Sequence, residues 1–459
     1  MLEGRTYRGS DSPTPNADTL EYCRRSFQTA LGGGFRLLRL TVPAPIAPLL
    51  AFPEGSMLWC PPTGPQLVGA GEIVCVTGEG DERIEEIKQA ASTLWRELCD
   101  LPHPDAAHLP PRLFGGLSFL TKEPSDEWSS FGQSKFWLPR SLYGKVGTGA
   151  QERAFLSVCC EVSESPEALA AQIHSELRRL TQRNSSAPVQ AQIDKTQHLS
   201  EEIWNDRIES IRRDIENGGV HKVVAARQSR LHFREAIELR PALEKLSERY
   251  PDCYRFAFSQ GDSTFVGASP ETLIDKAGLQ VTTQALAGSI AADSTNAGAK
   301  LLASKKDRFE QDLVVRAIAA ALAPLCCELS YNKTPDTRTL RHLTHLCTPI
   351  RGLLNGEKHV LDLVQALHPT PAVGGVPTEH AQDWIRKNES DRGWYAAPVG
   401  WFDAQGDGHF AVAIRSALFK GTEALIFAGA GIVGDSDPTL EYLETGLKQR
   451  AILDALGIL

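Results

Sequence analysis

The arrangement of strand-like segments is the feature that most limits how this chain can fold. From residue 220 onward, short apolar runs such as "VHKVVAARQSRL", "YRFAFSQ", "STFVGAS" and "GLQVTTQALAG" follow one another, each bounded by Gly, Asp or Pro. Runs of this length between turn residues indicate β-strands joined as hairpins. The strict strand–helix alternation of a parallel sheet is not the dominant pattern. The sequence therefore predicts an α+β fold with large, mainly antiparallel sheets.

Helices are predicted between these groups of strands. Hydrophobic periodicity indicates helices over 83–100 and 166–183 in the first half, and over 299–323 in the second half. A last helix is predicted from Pro438 to about residue 454, with Asp437 as its N-cap.

A polar segment divides the chain. The stretch "RNSSAPVQAQIDKTQ" lacks hydrophobic periodicity, so a linker is predicted over 186–199. Residues 21–185 then form the N-terminal part of the fold, and 200–459 form the catalytic part. Residues 1–20 are polar, rich in Pro and Ser, and lack the apolar core of an export signal. A disordered terminus and a cytoplasmic location are therefore predicted.

Composition and charge limit the possible partners. With 459 residues and a net charge of −9, the chain lacks the concentrated basic surface that nucleic acid or an acidic membrane requires. Its longest apolar runs are too short or too interrupted by proline to span about 30 Å of hydrocarbon. Ten cysteines without a CxxC pair predict buried free thiols, not a zinc site or disulfides. A small-molecule ligand is expected, with no nucleic-acid partner and no membrane span.

The stretch "FAGAGIVGDSDP" raises the question of nucleotide binding. Gly429, Gly431 and Gly434 have the GxGxxG spacing of dinucleotide-binding turns. That fold needs another parallel strand and an acidic residue about 20 positions further on. Only "ALGIL" follows the last helix here, so a nucleotide-binding oxidoreductase is not favoured. The glycines instead indicate a close approach of backbone amides to some ligand.

Two predicted helices carry carboxylates on one face. Glu441, Glu444 and Lys448 lie at i, i+3 and i+7 of the last helix, and Asp307 and Glu310 lie at i and i+3 of an earlier one. Either face alone is explained by contact with solvent. Together, two carboxylate faces would suit a hard cation such as Mg²⁺ that keeps positions open for water and an anionic ligand.

Several motifs occur in an order that resembles one family. They are "GASPETLI", "QALAGSIAA", "LLASKKDRFEQDLVV", "LTHLCTPIRG", "LHPTPAVGGVP", "DRGWYAAPVGW", "VAIRSA" and "FAGAGIVGDSDPTLEYLETGLKQ". Through them the chain resembles chorismate-utilising enzymes and, within that family, isochorismate synthases. The resemblance is dense over 200–459 and fainter before it. It implies a layered α/β/β/α fold with orthogonally packed sheets.

The resemblance also implies a reaction on chorismate. Making isochorismate requires water to add at C2 while the 4-hydroxyl leaves, which needs a base, an acid and charge neutralisation. Lys222 in "HKVVAAR" matches the base that activates water, and Glu271 in "SPE" matches the acid that protonates the departing hydroxyl. The alternatives are an exposed strand lysine and a turn without catalytic function.

By the same resemblance the two carboxylate faces hold magnesium. Glu310 and Glu444 match the Mg2+ ligands, and Glu441 is expected to contact the ion through water. Asp307 is expected to lie next to these ligands and to help orient them without binding the ion itself. The ion would hold the ring carboxylate of the substrate.

Further residues match substrate contacts. His345 in "LTHL" and Tyr395 match a histidine and an aromatic ring that touch substrate, although both types are also common in cores. Arg415 is predicted to share a strand face with the small residues Ala411 and Ala413, which leaves room for its guanidinium to grip a carboxylate.

The remaining predicted contacts complete the pocket. Lys448 is expected near the second carboxylate of chorismate, and backbone amides of Gly288, Ala430 and Gly431 are expected to line the pocket. Ala372 in "PTPAV" occupies a position where salicylate synthases tend to carry Thr. This residue favours an enzyme that stops at isochorismate over one that also eliminates pyruvate.

The resemblance bears on pathway and partners as well. The length and substantial first half are more typical of menaquinone or phylloquinone enzymes than of siderophore enzymes, which stay an alternative with salicylate synthase. No glutaminase subunit is expected, because Lys222 and "ALAGS" differ from the residues of ammonia-using members. A monomer or weak homodimer is expected.

Overall fold

The computed structural model describes residues 17–51, 56–182 and 192–458, which form helices packed around two large β-sheets. The helices of these ranges are α1 (Ala17–Gly32), α2 (Arg83–Glu97), α3 (Pro166–Thr181), α4 (Glu201–Glu216), α5 (Leu239–Arg249), α6 (Ala297–Ala303), α7 (Lys305–Leu322), α8 (Val360–Leu367), α9 (Thr378–Asn388) and α10 (Pro438–Ala455).

The strands fall into two runs along the chain. Before residue 200 they are β1 (Leu37–Ala44), β2 (Met57–Cys60), β3 (Gln66–Ala70), β4 (Val74–Thr77), β5 (Leu98–Pro102), β6 (Arg112–Leu117), β7 (Ser134–Leu138), β8 (Ser141–Val146), β9 (Arg153–Glu161) and β10 (Ile193–His198). After it they are β11 (Lys222–Phe233), β12 (Tyr254–Gln260), β13 (Ser263–Ser269), β14 (Thr272–Ala277), β15 (Gln280–Ala291), β16 (Cys326–Tyr331), β17 (Asp336–Thr339), β18 (Leu343–Leu354), β19 (Gly375–Val376), β20 (Pro398–Asp403), β21 (Gly408–Val412), β22 (Ser416–Lys420) and β23 (Glu423–Ile432).

The strands pair into one 13-stranded and one 10-stranded sheet. The larger has the order β10-β11-β23-β22-β13-β12-β2-β3-β8-β9-β1-β5, with β19 paired to β11. The smaller has the order β16-β18-β15-β14-β21-β20-β6-β7-β4, with β17 paired to β18. Among the pairs of the described chain, only β1 and β5 are parallel. The predicted α+β fold with large, mainly antiparallel sheets is confirmed.

Hydrophobic side chains join the layers. Between the sheets, Trp137 of β7 meets Phe258 of β12 with ring centroids 5.7 Å apart. On the outer face of the larger sheet, a second cluster includes Phe27, Leu169 and Ile452 from α1, α3 and α10. Helices α2, α7 and α8 pack against the smaller sheet. Buried apolar area on both faces of each sheet accounts for this layered order.

Both sheets continue from the C-terminal part into the N-terminal part. In the larger sheet Phe256 of β12 pairs with Trp59 of β2, and in the smaller Gly400 of β20 pairs with Gly115 of β6. The two parts of the chain therefore share their sheets and their core.

Two predicted boundaries differ from the structure. Residues 17–20, assigned to the disordered terminus of 1–20, begin helix α1, which buries Cys23 and Phe27. Residues 193–198, assigned to the linker of 186–199, form the edge strand β10. An edge strand with mostly exposed side chains needs no hydrophobic periodicity, so its sequence is easily taken for a linker. Residues 1–16 and 186–191 lie outside the described residues.

The helices that carry the predicted carboxylates begin at side-chain caps. Ser304 interrupts the predicted helix of 299–323, ends α6 and caps α7 by accepting from the Asp307 amide at 3.2 Å. Asp437 caps α10 as predicted, accepting from the Leu440 amide at 2.9 Å. Each cap satisfies an amide that has no partner inside the helix.

The cysteines and the apolar helices follow expectation with one exception. All ten cysteines are free and most are buried, but Cys327 is exposed on β16 because that strand forms the edge of the smaller sheet. Among the described residues, none of the helices has the length and apolarity needed to cross a membrane.

Candidate active site

One cavity brings together residues from most elements of the second half of the chain. It is bounded by β15, β18 and β23, by helices α7 and α10, and by the loops before β14, β20 and β22. Eleven of the thirteen predicted site residues line it, namely Glu271, Gly288, Glu310, His345, Ala372, Tyr395, Arg415, Gly431, Glu441, Glu444 and Lys448. The other two, Lys222 and Ala430, lie behind its wall.

Lys222 is fully buried directly behind Glu310. It begins β11, and its Nζ donates to Glu310 Oε1 at 2.8 Å. Burial alone would raise the pKa of the Glu310 carboxyl, but Lys222 and then Lys448 and Lys306 lower it, so Glu310 stays ionised. Lys222, the predicted base, is thus not an exposed strand lysine. It does not line the cavity itself but donates to Glu310, which does.

Gly431 makes room for this ion pair. A Cβ atom at this position would lie 2.6 Å from Glu310 Oε1 and 2.7 Å from Lys222 Cε. Because real contacts are longer than this, only glycine lets β23 pass so close to the pair.

Glu271 retains its proton near neutral pH. It lies just before β14, and only 3% of its surface is exposed. Burial raises the pKa of its carboxyl to about 8, although Lys222, Arg415 and Lys448 act in the opposite direction. A carboxyl group that is protonated at neutral pH inside a cavity can act as a general acid.

A bulge in β15 places His345 and Arg415 together. The pairing of β15 with β18 shifts between Ala287 and Ser289, and Gly288 there has φ of +68°. The Gly288 carbonyl and Ser289 Oγ each lie 3.0 Å from His345 Nδ1. His345 Nε2 lies 3.3 Å from Arg415 Nη2. Burial and then Arg415 lower the pKa of His345 well below its usual value, so the ring is neutral.

The predicted position of Arg415 on a strand face is wrong. Strand β21 ends at Val412, and Arg415 lies in the connection to β22 with φ of +54°. Ala411 and Ala413 are core residues. Ala396, which also lines the cavity, has φ of +60°. Non-glycine residues held at positive φ are strained, and such strain concentrates at functional sites.

The side chain of Lys448 connects α10 to β23. Its Nζ donates to the Gly429 carbonyl at 2.7 Å and lies 2.6 Å from Glu444 Oε1. Gly429 lines the cavity, but the predicted contact Ala430 does not, because its methyl group packs in the core. The backbone groups of successive residues in a strand point to opposite sides within the sheet. The Gly429 carbonyl points away from β11 and accepts from Lys448, so the Ala430 amide points toward β11.

Glu441 and Asp307 are the other acidic residues of the cavity. Glu441 Oε1 accepts from Lys306 Nζ at 2.8 Å, and its carboxyl is only 5% exposed. Burial and then Glu444 raise the pKa of Glu441. Burial, and to a lesser extent Glu310, raise the pKa of Asp307. In both cases repulsion from a neighbouring carboxylate adds to the effect of burial.

The apolar side of the cavity is aromatic. Tyr395 is stacked on Phe427 with ring centroids 4.9 Å apart and planes 15° from parallel. The Tyr395 hydroxyl lies beside Gly429, where a Cβ atom would be 3.1 Å from its oxygen. Ala372 adds a small side chain to the wall. Tyr395 is therefore both a core ring and a cavity residue.

The acidic set has the donor chemistry of a hard-cation site. Glu310, Glu441, Glu444 and Asp307 offer only oxygen donors, which Mg²⁺ prefers. Within the described parts of the chain, however, no three His, Cys, Asp or Glu side chains are grouped closely enough to hold a metal. Three of the carboxylates point to lysines instead. By charge and donor type, the residues fit a divalent cation. In this arrangement a bound cation would compete with the three lysines for the carboxylates.

Sequence reasoning missed several cavity residues. Lys306 lies in the quoted "SKKD" motif, one residue before Asp307, and its position beside the acidic pair is the signal that could have indicated it. Gly429 stood out only as part of the glycine-rich stretch. Phe427 and Ser289 are typical strand residues, and nothing in their local sequence marks them.

One cavity thus holds a protonated carboxyl, a lysine–glutamate pair and three further cations, Lys306, Arg415 and Lys448. Such a site defines an enzyme that performs acid–base chemistry on a small anionic compound. The antiparallel neighbours of β23 also exclude a dinucleotide-binding turn at Gly429 and Gly431.

The chain belongs to the chorismate binding enzyme family, whose model matches residues 51–457. It is 38% identical over 385 residues to isochorismate synthase MenF of Bacillus subtilis (strain 168), covering 82% of this chain and 80% of that protein. It is also 38% identical to the salicylate biosynthesis isochorismate synthase of Pseudomonas aeruginosa, covering 83% and 80%. The structure of MenF, the menaquinone-specific isochorismate synthase from Escherichia coli, superposes with a TM-score of 0.76 at 24% identity, covering 94% and 99%.

Proposed function

We propose that this protein is an isochorismate synthase, which isomerises chorismate to isochorismate with Mg²⁺ as cofactor. The names of the two relatives that match four fifths of the chain support the reaction. The observation that carries the proposal is the pairing of roles in one cavity. Glu271 holds a proton near neutral pH, while Glu310 connects the same cavity to the buried amine of Lys222.

The residues divide the reaction between them. To act as the base, Lys222 must first be neutral, so its ammonium has to give up a proton and its charged bond to Glu310. The neutral amine then accepts a proton from water as the water oxygen bonds to C2, the ring double bond shifts, and the bond from C4 to its hydroxyl breaks. Glu271 donates its proton to that hydroxyl, which leaves as water. One water enters and one leaves, so the reaction is balanced. Arg415 and Lys448 bind the substrate carboxylates, and the neutral His345 orients Arg415.

Magnesium is proposed at Glu310 and Glu444, with Glu441 contacting it through water. When bound, the ion would neutralise the ring carboxylate of the substrate and would compete with the Lys222 ammonium for Glu310. Burial is the main cause of the raised pKa values of Glu441 and Asp307, and repulsion from Glu444 and Glu310 adds to it. This repulsion supports the proposal, because a bound cation would offset it.

The pathway is proposed from the relatives. The Bacillus subtilis relative and the Escherichia coli structure are both MenF proteins, and the second is menaquinone-specific. On this basis we propose that the product enters quinone synthesis in the cytoplasm. The position of Ala372 on the cavity wall supports a product that leaves without pyruvate elimination, because its small side chain adds no hydroxyl beside the substrate.

Incubation of the protein with chorismate and Mg²⁺, followed by chromatography, tests the proposal. We expect isochorismate in equilibrium with chorismate, no pyruvate, and no dependence on ammonia. Salicylate with an equal amount of pyruvate would identify a salicylate synthase instead. Anthranilate in the presence of ammonia, or no conversion at all, would contradict the proposed function.

A further inference from the structure

A second cavity lies beside the active site, at a gap in the edge of the larger sheet. Strand β19 pairs with β11 at Lys222 and Val223, and β10 pairs with it from Ser229 onward. Between these positions side chains from α4 and from the loop after α9 replace a neighbouring strand. We call this space the arginine cavity, which is lined among others by Leu199, Arg207, Arg227, Arg230, Tyr395 and Phe427.

Two of its arginines have no carboxylate within ion-pair distance among the described residues. Arg230 pairs with Glu127 and Glu423. Within residues 17–51, 56–182 and 192–458, Arg207 and Arg227 form no ion pair within 4.0 Å.

The bonds that these two arginines do make leave donors free. Arg207 Nη1 donates to the Ala226 carbonyl at 2.8 Å. Arg227 Nε donates to Thr445 Oγ1 at 2.6 Å, and its guanidinium lies over the Tyr442 ring. A guanidinium has five N–H donors, so each keeps donors for another acceptor. The lining thus has an excess of positive charge.

The arginine cavity shares an aromatic wall with the active site. The stacked rings of Tyr395 and Phe427 line both cavities, and Leu199 and Leu425 extend the apolar surface on the arginine side. Arg392 completes the partition by donating to the Val224 carbonyl at 2.7 Å and to Glu389 Oε2 at 2.8 Å. A compound in the arginine cavity would therefore contact rings that also face the substrate.

We propose that the arginine cavity binds a small carboxylate that carries a flat unsaturated ring. Arg207 and Arg227 would bind the carboxylate, for which the guanidinium fork is suited, and the aromatic wall would pack against the ring. The proposal stands on this cavity alone and does not depend on the reaction assigned to the active site.

Calorimetric titration of the full-length protein with benzoate tests the proposal. We expect saturable binding to wild type that weakens by about tenfold or more in Arg207→Gln, because a charged hydrogen bond is lost. Arg207→Lys, which retains the charge, should lose less. Arg212→Gln is the matched control, since Arg212 lies on the same helix and pairs with Glu209 at the surface. Thermal unfolding of each variant checks that it is folded.

Three further titrations separate binding at this site from binding at the active site, and the contribution of the charge from that of the ring. Arg415→Gln removes a carboxylate partner from the active-site cavity and should leave benzoate affinity unchanged. Neutral benzamide and ringless inorganic phosphate should each bind more weakly than benzoate. The proposal is overturned if wild type shows no saturable binding, if Arg415→Gln weakens benzoate as Arg207→Gln does, or if benzamide binds as tightly as benzoate.

Discussion

At the scale of single residues, burial decides the chemistry of the site. The cations of Lys222, Arg415 and Lys448 all act to ionise Glu271, and yet the cost of burying its charge raises the pKa to about 8. Glu310, whose side chain is 13% exposed, stays ionised because Lys222 donates to it directly. Two glutamates close to the same lysine therefore differ in protonation, and the difference matches an acid and a charged partner.

Turnover should therefore depend on the protonation of Glu271. We expect kcat to fall as pH rises through about 8, where the acid loses its proton. The raised pKa also stabilises the folded state fully below about 4.5, and this contribution is lost as pH rises through about 8. Urea unfolding between about pH 6 and pH 9 should show this loss in wild type and not in Glu271→Gln. Equal pH slopes in both proteins would contradict the assignment.

Lys222 should be required for turnover as well as for the stability of the folded state. Lys222→Ala is expected to lower kcat by about 10²–10⁴, the usual contribution of a general base. Lys276→Ala is the matched control, because Lys276 is also buried and pairs with Asp407 at 2.6 Å outside the cavity. Both variants should lose stability, and only the first should lose activity in steady-state assays. Comparable activity of the two variants would rule out the proposed base.

At the scale of elements, two helices and one strand set the spacing of the site. Helices α7 and α10 bring their carboxylates to one cavity because their opposite sides pack on different sheets, α7 on β15 and α10 on β23. Strand β23 passes between them as a glycine-rich wall. The charged faces of the two helices are thus turned toward each other and not toward bulk solvent.

A carboxylate on α10 should control the affinity for the proposed magnesium ion. Glu444→Gln is expected to weaken the apparent affinity for Mg²⁺ in an activity titration by about 10-fold to 100-fold, because a ligand charge is removed. Glu209→Gln, in an exposed pair with Arg212 on α4, provides the control. An unchanged titration for Glu444→Gln would exclude it as a ligand.

The glycine-rich wall formed by β23 should not tolerate a side chain at Gly431. Gly431→Ala places a methyl group 2.6 Å from Glu310 Oε1, so the pair with Lys222 must move. We expect kcat/KM to fall by about tenfold or more, equivalent to about 1.4 kcal/mol of barrier. In Gly434→Ala the nearest atom would be 3.7 Å away, an ordinary contact, so this variant should keep wild-type kinetics. A normal Gly431→Ala enzyme would show that the pair is not needed in its present place.

At the scale of the whole molecule, the N-terminal part completes both sheets. Strands β2 and β6 cover the edges of β12 and β20, and Trp137 fills the space between the sheets against Phe258. The described residues of the first half, 17–51, 56–182 and 192–199, contribute none of the lining of the active-site cavity and therefore act through the core and the sheet edges.

Removal of the N-terminal part should abolish folding of the catalytic part. A fragment of residues 200–459 would lose the partners of β11, β12 and β20 and expose the apolar face beneath them, so we expect it to be insoluble. The full chain should unfold in one cooperative transition seen equally by circular dichroism and tryptophan fluorescence. A soluble fragment with native-like thermal unfolding would show that 200–459 is an independent domain.

The sequence alone determined the fold class, the family and most of the cavity residues. Turn residues at regular intervals predicted antiparallel strands, and contiguous motifs placed Glu271, Glu310 and Glu444, because these signals are local in the chain. Tertiary structure decided what depends on distant partners. It assigned Lys222 to Glu310, 88 positions away, set the protonation of Glu271 by burial, and turned the Ala430 amide toward β11. Desolvation and pairing depend on which residues the fold brings within a few ångströms, and no local pattern specifies that.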